Sequence, residues 1–527
     1  MAAPRSEIDK LVLGKLKELG IPPADLCSDA VFVRRVYLDV IGTLPTAQEV
    51  RTFLADQDPN KRGILIDRLL ERDEFADYWA MKWSDLLRVK SEFPINLWPN
   101  AVQAYHRWIR TCIKENMPYD RFVREMLTAS GSNFRVPQVN FYRAVQSREP
   151  QALAQTVALT FMGVRPEGWP KEKWSQMGVF FSHVGYKSTL EWKEEIVLFD
   201  PNHPVARPPA VGKESPPGAG VPHDLSGTAI FPDGTTVALS PDQDPREVFA
   251  NWLIEAKNPW FARNIVNRVW SWLAGRGIIH EPDDIRPDNP PSNPRLLVYL
   301  EGELISAHYG LKHIYRLILN SQTYQLSSIP QTQDSQAAGA SRPGSQDHGQ
   351  DARATAEANF AFYPLRRLEA EVLIDALCQI TGTTEQYSSP IPEPFTFIPE
   401  DQRSIALADA SITSAFLEKF GRSSRDTGLE SERNNRPTAS QRLHLLNSSH
   451  IQRKIEQSTK LQAILQTKGK PRDVIDGLYL TILSRLPTDD ELQVVGPYFQ
   501  ANGANRRTAA IGLIWALINS AEFLHRH

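Results

Sequence analysis

Residues 36–50 read VYLDVIGTLPTAQEV, and residues 478–492 read LYLTILSRLPTDDEL. Each runs Tyr-Leu, a pair of apolar residues, then Leu-Pro-Thr-x-x-Glu and another apolar residue. Pro45 and Pro487 lack an amide hydrogen and stop the incoming helix. Thr46 and Thr488 suit the N-cap of the next helix. Glu49 and Glu491, at its third position, can complete a capping box. One helix–turn–helix corner used near both ends of the chain predicts a mainly α-helical fold. The corner is a structural device and carries no chemistry.

Helical periodicity spreads outward from these corners. Residues 5–200 repeat apolar side chains at helical spacing in IDKLVLGKLKEL, VRRVYLDVIG, ILIDRLLE and AVQAYHRWIRTCI. Trp79, Trp83, Trp98 and Trp108 are read as core anchors of this region. From about 201 to 245 the texture turns to Pro and Gly, which excludes a long helix. Within it, GTAIFPDGTTVALS alternates around Pro232-Asp233-Gly234 and predicts a β-hairpin.

Residues 246–527 return to helices, with Gly382 as the C-cap of FYPLRRLEAEVLIDALCQITG. Residues 328–358 are poor in large apolar groups and are expected to form a disordered insertion. The organisation expected is a helical domain over 1–200, a Pro/Gly-rich linker with a hairpin over 201–245, and a helical domain over 246–527. A chain of 527 residues accommodates this, at roughly 100–200 residues per domain.

The formal charge of −3 gives no whole-chain argument for nucleic acid or an anionic membrane. Cys27, Cys112 and Cys378 are far apart with no CxxC spacing, so neither a disulfide framework nor a cysteine zinc site is expected. MAAPRSEIDKLVLGKL has no apolar h-region, and no run of about 18 apolar residues occurs, so neither a signal peptide nor a membrane span is expected. No GxSxG, Walker, HExxH or GxGxxG signature is present.

Three segments concentrate site-forming side chains. In NPWFARNIVNRVWSWLAGRGI (258–278), Arg263, Asn264, Asn267 and Arg268 share a helix, with Asn264 on one face with Asn267 and Arg268. They could bind an anion or sugar, or satisfy neighbouring loops. In HEPDDIRPDNPPSNPRLL (280–297), His280, Asp283, Asp284 and Asp288 could hold a divalent cation such as calcium. The spacing matches no EF-hand, and Asp and Asn also form turns and caps.

The third segment is ESERNNRPTASQRLHLLNSSH (430–450), taken with Arg366, Arg367, Glu369, Glu371 and Asp375 of 362–377. Its planar groups could line a site, form a buried clamp between helices, or stand in a solvated loop. Glu432 and Arg433 are placed to pair with the 362–377 charges, and Thr438 with Gln441 reads as another capping box.

FVRRVYLDVIGTLPTAQEVRTFL (32–54) and RGILIDRLLERDEFADYWAMKWSDLLRV (62–89) resemble the planctomycete cytochrome-associated domain of unknown function. NPWFARNIVNRVWSWLAGRGI, PDDIRPDNPPSNPRLLVYL, LILNSQTYQLSS, FYPLRRLEAEVLIDAL and ERNNRPTASQRLHLLNS resemble the planctomycete-specific domain that usually follows it. The resemblance covers almost the whole chain apart from 328–358. It implies an exported protein, periplasmic or extracellular, in the context of complex and often sulfated polysaccharides. Many members carry a haem-attachment-like CxxCH after a Gly-Val-Arg. Here Pro166–Trp169 stand in that place, so covalent haem has no thiols to attach to.

Two functions follow as expectations. The first is an enzyme acting on a complex polysaccharide, sulfated ones included. Its catalytic residues would be Glu432 and Asp284, and its substrate-binding residues Arg263, Asn264, Asn267, Arg268, Arg286, Arg366, Arg433, Arg436 and Gln441. This predicts that Glu432, Arg433, Arg268 and Asp284 converge in an open cleft. The second is a non-catalytic polysaccharide-binding or scaffold protein of a surface complex. No cofactor is required by either; a glycan is the partner, nucleic acid is not, and protein partners are open.

Overall fold

A computed structural model of the chain describes residues 4–202, 227–240, 242–331, 346–466, 470–501 and 506–527. Among the described residues helices dominate, and the strands form only two- and three-stranded sheets. One buried apolar cluster extends from Ile8 to Phe523 and draws side chains from both sides of the 201–245 segment. Most of that segment lies outside the described residues. No helix among the described residues is long and apolar enough to cross a membrane.

Both corners form as their sequences dictate. The Asp29–Ile41 helix ends on Gly42 at φ 58°, where a left-handed residue closes the last turn. Thr46 Oγ1 then accepts from the Glu49 amide at 3.2 Å, and the Thr46 amide donates to Glu49 Oε2 at 2.7 Å. Thr488 and Glu491 repeat the exchange at 3.3 and 2.7 Å. The predicted hairpin pairs Thr228–Ile230 with Thr236–Ala238 across Asp233-Gly234, with Gly234 at φ 90°.

Three regions differ from the sequence reading. The stretch 5–200 is not helical throughout: Val184–Ser188 and Glu195–Phe199 form a hairpin, and Gly131–Ser132 adds to Glu195–Phe199 as a third antiparallel strand. These strands are short, and within Glu195–Phe199 only Val197 is buried, so the two-residue period is weak in sequence. The segment 362–369 is also extended. Arg366–Arg367 pairs with His525–Arg526, and the helix starts only at Ala370, ending on Gly382 as expected.

Of the expected insertion, 332–345 lies outside the described residues, but Gln346–Ala358 is a helix. Its ARATAEA run is rich in alanine, the strongest helix former, and Ala356 packs on the core.

The core carries an ionic lattice. Asp39, 2% exposed, accepts from the hydroxyls of Tyr324 and Tyr363 at 2.8 Å each and pairs with Arg526 at 3.0 Å. Arg433 forks between Asp85, at 2.7 and 3.1 Å, and Glu371, at 2.6 and 3.0 Å. Such charges persist in a core only when hydrogen bonds answer them on all sides. Several elements are thereby locked around one polar opening.

Candidate functional site

The opening is a cleft of about 230 Å³. Its floor is Lys82, on the Asp73–Leu86 helix. Phe75, Trp79, Trp83 and Leu86 form the buried apolar stripe of that helix, and Lys82 sits within it. Lys82 Nζ donates to Glu369 Oε1 at 2.7 Å. Glu369 occupies the N-cap position of the Ala370–Thr381 helix, and Arg526 holds its other oxygen at 2.6 Å. Burial opposes the charge on Glu369, but Arg526 and Lys82 outweigh it and hold the carboxyl well below its usual range. Burial likewise opposes the Lys82 charge, and Glu369 outweighs it, so the ammonium titrates above its ordinary value.

One wall is the C-terminal end of the Phe261–Ala274 helix. Arg366 donates to its last carbonyls, Trp272 at 2.8 Å and Leu273 at 2.9 Å, and so caps a helix end that favours cations. Gly275 follows at φ 81°. A Cβ there would come within 2.7 Å of Arg366 Cδ and 2.8 Å of Pro364 Cγ, so glycine is required for both conformation and space.

The opposite wall is the single turn Glu430–Glu432 with Arg433 and Asn435 beyond it. Trp272 Nε1 donates to Glu430 Oε1 at 3.0 Å, and Arg268 Nη1 lies 3.8 Å from Glu430 Oε2. The Glu430 amide donates to Asp283 Oδ2 at 3.1 Å, which orients the turn. The Glu430 side chain stays 30% exposed, toward the cleft. Surrounding protein raises its pKa; Lys82 and Arg268 oppose the rise, and Asp283 adds to it. Asn435 Oδ1, also in this wall, is buried and accepts no hydrogen bond among the described residues. Chemically, the cleft combines a carboxyl biased toward its protonated form and an ammonium.

The sequence-predicted residues fall into three groups. Arg366 and Arg433 line the cleft, and Arg268 stands behind Glu430. Asn264, Asn267 and Gln441 are buried structural groups. Asn264 donates to the Thr160 carbonyl, Asn267 exchanges two hydrogen bonds with Ile279, and Gln441 closes a capping box with Thr438 while accepting from Arg367. Arg263 pairs with Glu301 at 2.8 Å, Arg286 with Asp284 and Asp288, and Arg436 is exposed; none of these three reaches the cleft.

The expected convergence of Glu432, Arg433, Arg268 and Asp284 is therefore corrected. Glu432 turns away and accepts from Ser424 Oγ, the Asp426 amide at 2.7 Å, and the amide and hydroxyl of Thr427. Asp284 pairs with Arg286 at 3.1 Å. The calcium reading of Asp283, Asp284 and Asp288 has no geometric support. Asp283 is fully buried against Arg165, the other two face Arg286, and no three His, Cys, Asp or Glu groups among the described residues are arranged to hold a metal.

Lys82, Trp272, Glu369 and Glu430 are not among the site residues chosen from the sequence, although Glu369 is named there with the 362–377 charges. Glu430 stood in the segment singled out, two residues before the glutamate chosen. In a turn of about three residues those two side chains point to different sides. Lys82 gave a usable signal, a lone cation inside an otherwise apolar helical stripe.

The matches to known families follow the same two-part layout. PSCyt2, a protein of unknown function (DUF1549), matches residues 7–167, and PSD1, a protein of unknown function (DUF1553), matches residues 245–499. No curated protein and no solved structure matches the chain. Lys82 lies in the first matched region, and Trp272, Glu369 and Glu430 in the second, so the cleft is built jointly by the two. The chain belongs to the family in which a PSCyt2 domain is followed by a PSD1 domain.

Proposed function

We propose that the chain is an enzyme acting on a complex polysaccharide, sulfated ones included, and that the Lys82–Glu430 cleft is its reaction centre. The observation that carries this is Glu430, a partly exposed carboxyl at a cleft mouth, hydrogen-bonded by Trp272 and biased toward protonation. A carboxyl with a raised pKa can give a proton to a leaving oxygen. Lys82 supplies a fixed positive charge nearby. The cleft is smaller than the roughly 300–1,000 Å³ of pockets that hold whole ligands. It suits a single ring or chain terminus, with the rest of the polymer outside. A periplasmic or extracellular location goes with such a substrate.

The test is incubation of the chain and its Glu430→Gln variant with a polysaccharide panel, sulfated members included, with products read by mass spectrometry. New oligosaccharides or altered residues from the wild type alone support the reading. Unchanged glycans, or equal turnover by the variant, overturn it.

A second reading, polysaccharide binding without turnover, is favoured by one surface feature. Trp98, Trp192 and Phe395 cluster with ring centroids 4.9 to 5.5 Å apart beside a groove of about 360 Å³. Trp192 is 61% and Phe397 72% exposed. Open aromatic faces can stack on sugar rings. Retention on immobilised polysaccharide that falls with Trp192→Ala but not with Glu430→Gln would favour this reading.

A further inference from the structure

The segment 430–450 begins in one cleft and ends in another. Its last residues, His444 and His450, line a separate opening of about 710 Å³ with Glu385, Phe416, Arg453 and Lys454. This second cleft shares no lining residue with the first.

Its construction is layered. Glu385, with a side chain only 6% exposed, lies at the back. It accepts from Lys454 at 3.0 Å and pairs with His450 Nε2 at 2.9 Å. Lys454 also donates to the Thr384 carbonyl at 2.7 Å and toward Cys378 Sγ at 3.4 Å, so its three hydrogens are spent inside the protein. Lys454 and Glu385 thus neutralise each other, and their role is to hold His450 in place.

The front is under-occupied, and Arg453 is its cation. His444 packs edge-on against Phe416 and Phe420, and its ring centroid lies 5.8 Å from that of His450. His444 Nε2 is buried yet has no hydrogen-bond partner among the described residues. Buried ring nitrogens are ordinarily satisfied, so an orphan in a cleft wall points to a missing partner. Arg453 is exposed at the rim. It uses only Nε, on the Ser449 carbonyl at 3.2 Å, and forms no ion pair among the described residues. Its two terminal nitrogens form an open fork of the shape that matches a tetrahedral oxyanion.

We propose that this second cleft is an oxyanion-binding site that takes a sulfate or phosphate group. The Arg453 fork and a hydrogen on His444 Nε2 would be its direct donors. His450, fixed by Glu385, would be the third group facing the ligand. The site is independent of the Glu430 cleft and of the activity proposed for it.

The experiment is isothermal titration calorimetry of the full chain with inorganic sulfate and with inorganic phosphate, against chloride at equal ionic strength. Saturable binding of either oxyanion is expected, weakened about tenfold or more by Arg453→Ala. His444→Phe, which keeps the aromatic packing and removes the donor, should weaken it as well. Glu430→Gln should bind like the wild type. Preference for one anion identifies whether a sulfate or phosphate group is recognised. No heat beyond the chloride control, or unchanged binding by Arg453→Ala, overturns the proposal. If His444→Phe fails to fold, Arg453→Ala decides alone, because that side chain stands at the surface.

Discussion

Arg526 Nη2 lies 2.6 Å from Glu369 Oε2, joining residues 157 positions apart in a site where both side chains are under 5% exposed. Arg526 also pairs with Asp39 at 3.0 Å and donates to the hydroxyl of Tyr78 at 3.0 Å. It therefore neutralises the floor of the Glu430 cleft from behind. Arg526→Ala would leave two buried carboxylates short of a partner, which costs about 3–5 kcal/mol. Chemical denaturation of the full chain should show a loss of that order, and a loss under 1 kcal/mol would refute this role.

Glu430 and Glu432 should separate function from folding. Glu430→Gln keeps the Trp272 hydrogen bond to a side-chain oxygen but removes the transferable proton. Turnover should fall about 10²–10⁴-fold, with a melting temperature close to wild type. Glu432→Ala removes the acceptor that ties Ser424, Asp426 and Thr427 together. It should cost about 1–2 kcal/mol and leave turnover per folded molecule intact. Paired activity and melting measurements on both variants check this, and the reverse pattern would restore Glu432 as the catalytic candidate.

The acid limb of stability should depend on the Arg433 clamp. Burial works against the charge on Glu371 and Asp85, but Arg433 outweighs it, and both carboxyls titrate below their usual range. Groups with depressed folded pKa values stabilise the fold above their unfolded values, about 3.9 for Asp and 4.3 for Glu. That stability is lost as pH falls through the lower, folded values. Denaturant midpoints should therefore drop steeply below about pH 4. The drop should be shallower in Glu371→Gln, a variant that starts from a lower plateau.

Glu430 should act in the opposite sense. Its folded pKa is raised by burial, so its contribution is complete below about 4.3 and is lost as pH rises through the folded value. Glu430→Gln should become more stable relative to the wild type as pH rises from 4 to neutral. A constant difference across that range would show that Glu430 is not perturbed.

Gly275→Ala should be costly for a surface-adjacent turn. The position combines φ 81° with contacts of 2.7 and 2.8 Å to Arg366 and Pro364 for any added Cβ. A loss above about 1 kcal/mol in melting analysis is expected. Arg366 would also be displaced from the helix end that it caps, so turnover should fall as well.

How much of this was legible in the chain follows from the range of each interaction. The corners at Pro45–Glu49 and Pro487–Glu491, the capping box at Thr438 and Gln441, the Gly382 cap and the Asp233-Gly234 hairpin use groups within about four residues. Their partners are written beside them, so sequence alone determined these features, and with them the mainly helical class. The clamp reading of 430–450 was half legible: Arg433 was a plausible partner for the 362–377 carboxylates, and Glu371 is that partner.

Only the tertiary structure decided the rest. Asp85, the other arm of the clamp, lies 348 residues from Arg433, and no local energy selects it. Strand Arg366–Arg367 exists because His525–Arg526 lies beside it. Which of two neighbouring glutamates faces a cleft depends on how one short turn is docked, and the Asp283 carboxylate beneath the Glu430 amide sets that docking. Capping and turn energies are local and readable. A site assembled from Lys82, Trp272, Glu369 and Glu430 depends on burial and long-range ion pairing, which take effect only once distant helices have packed.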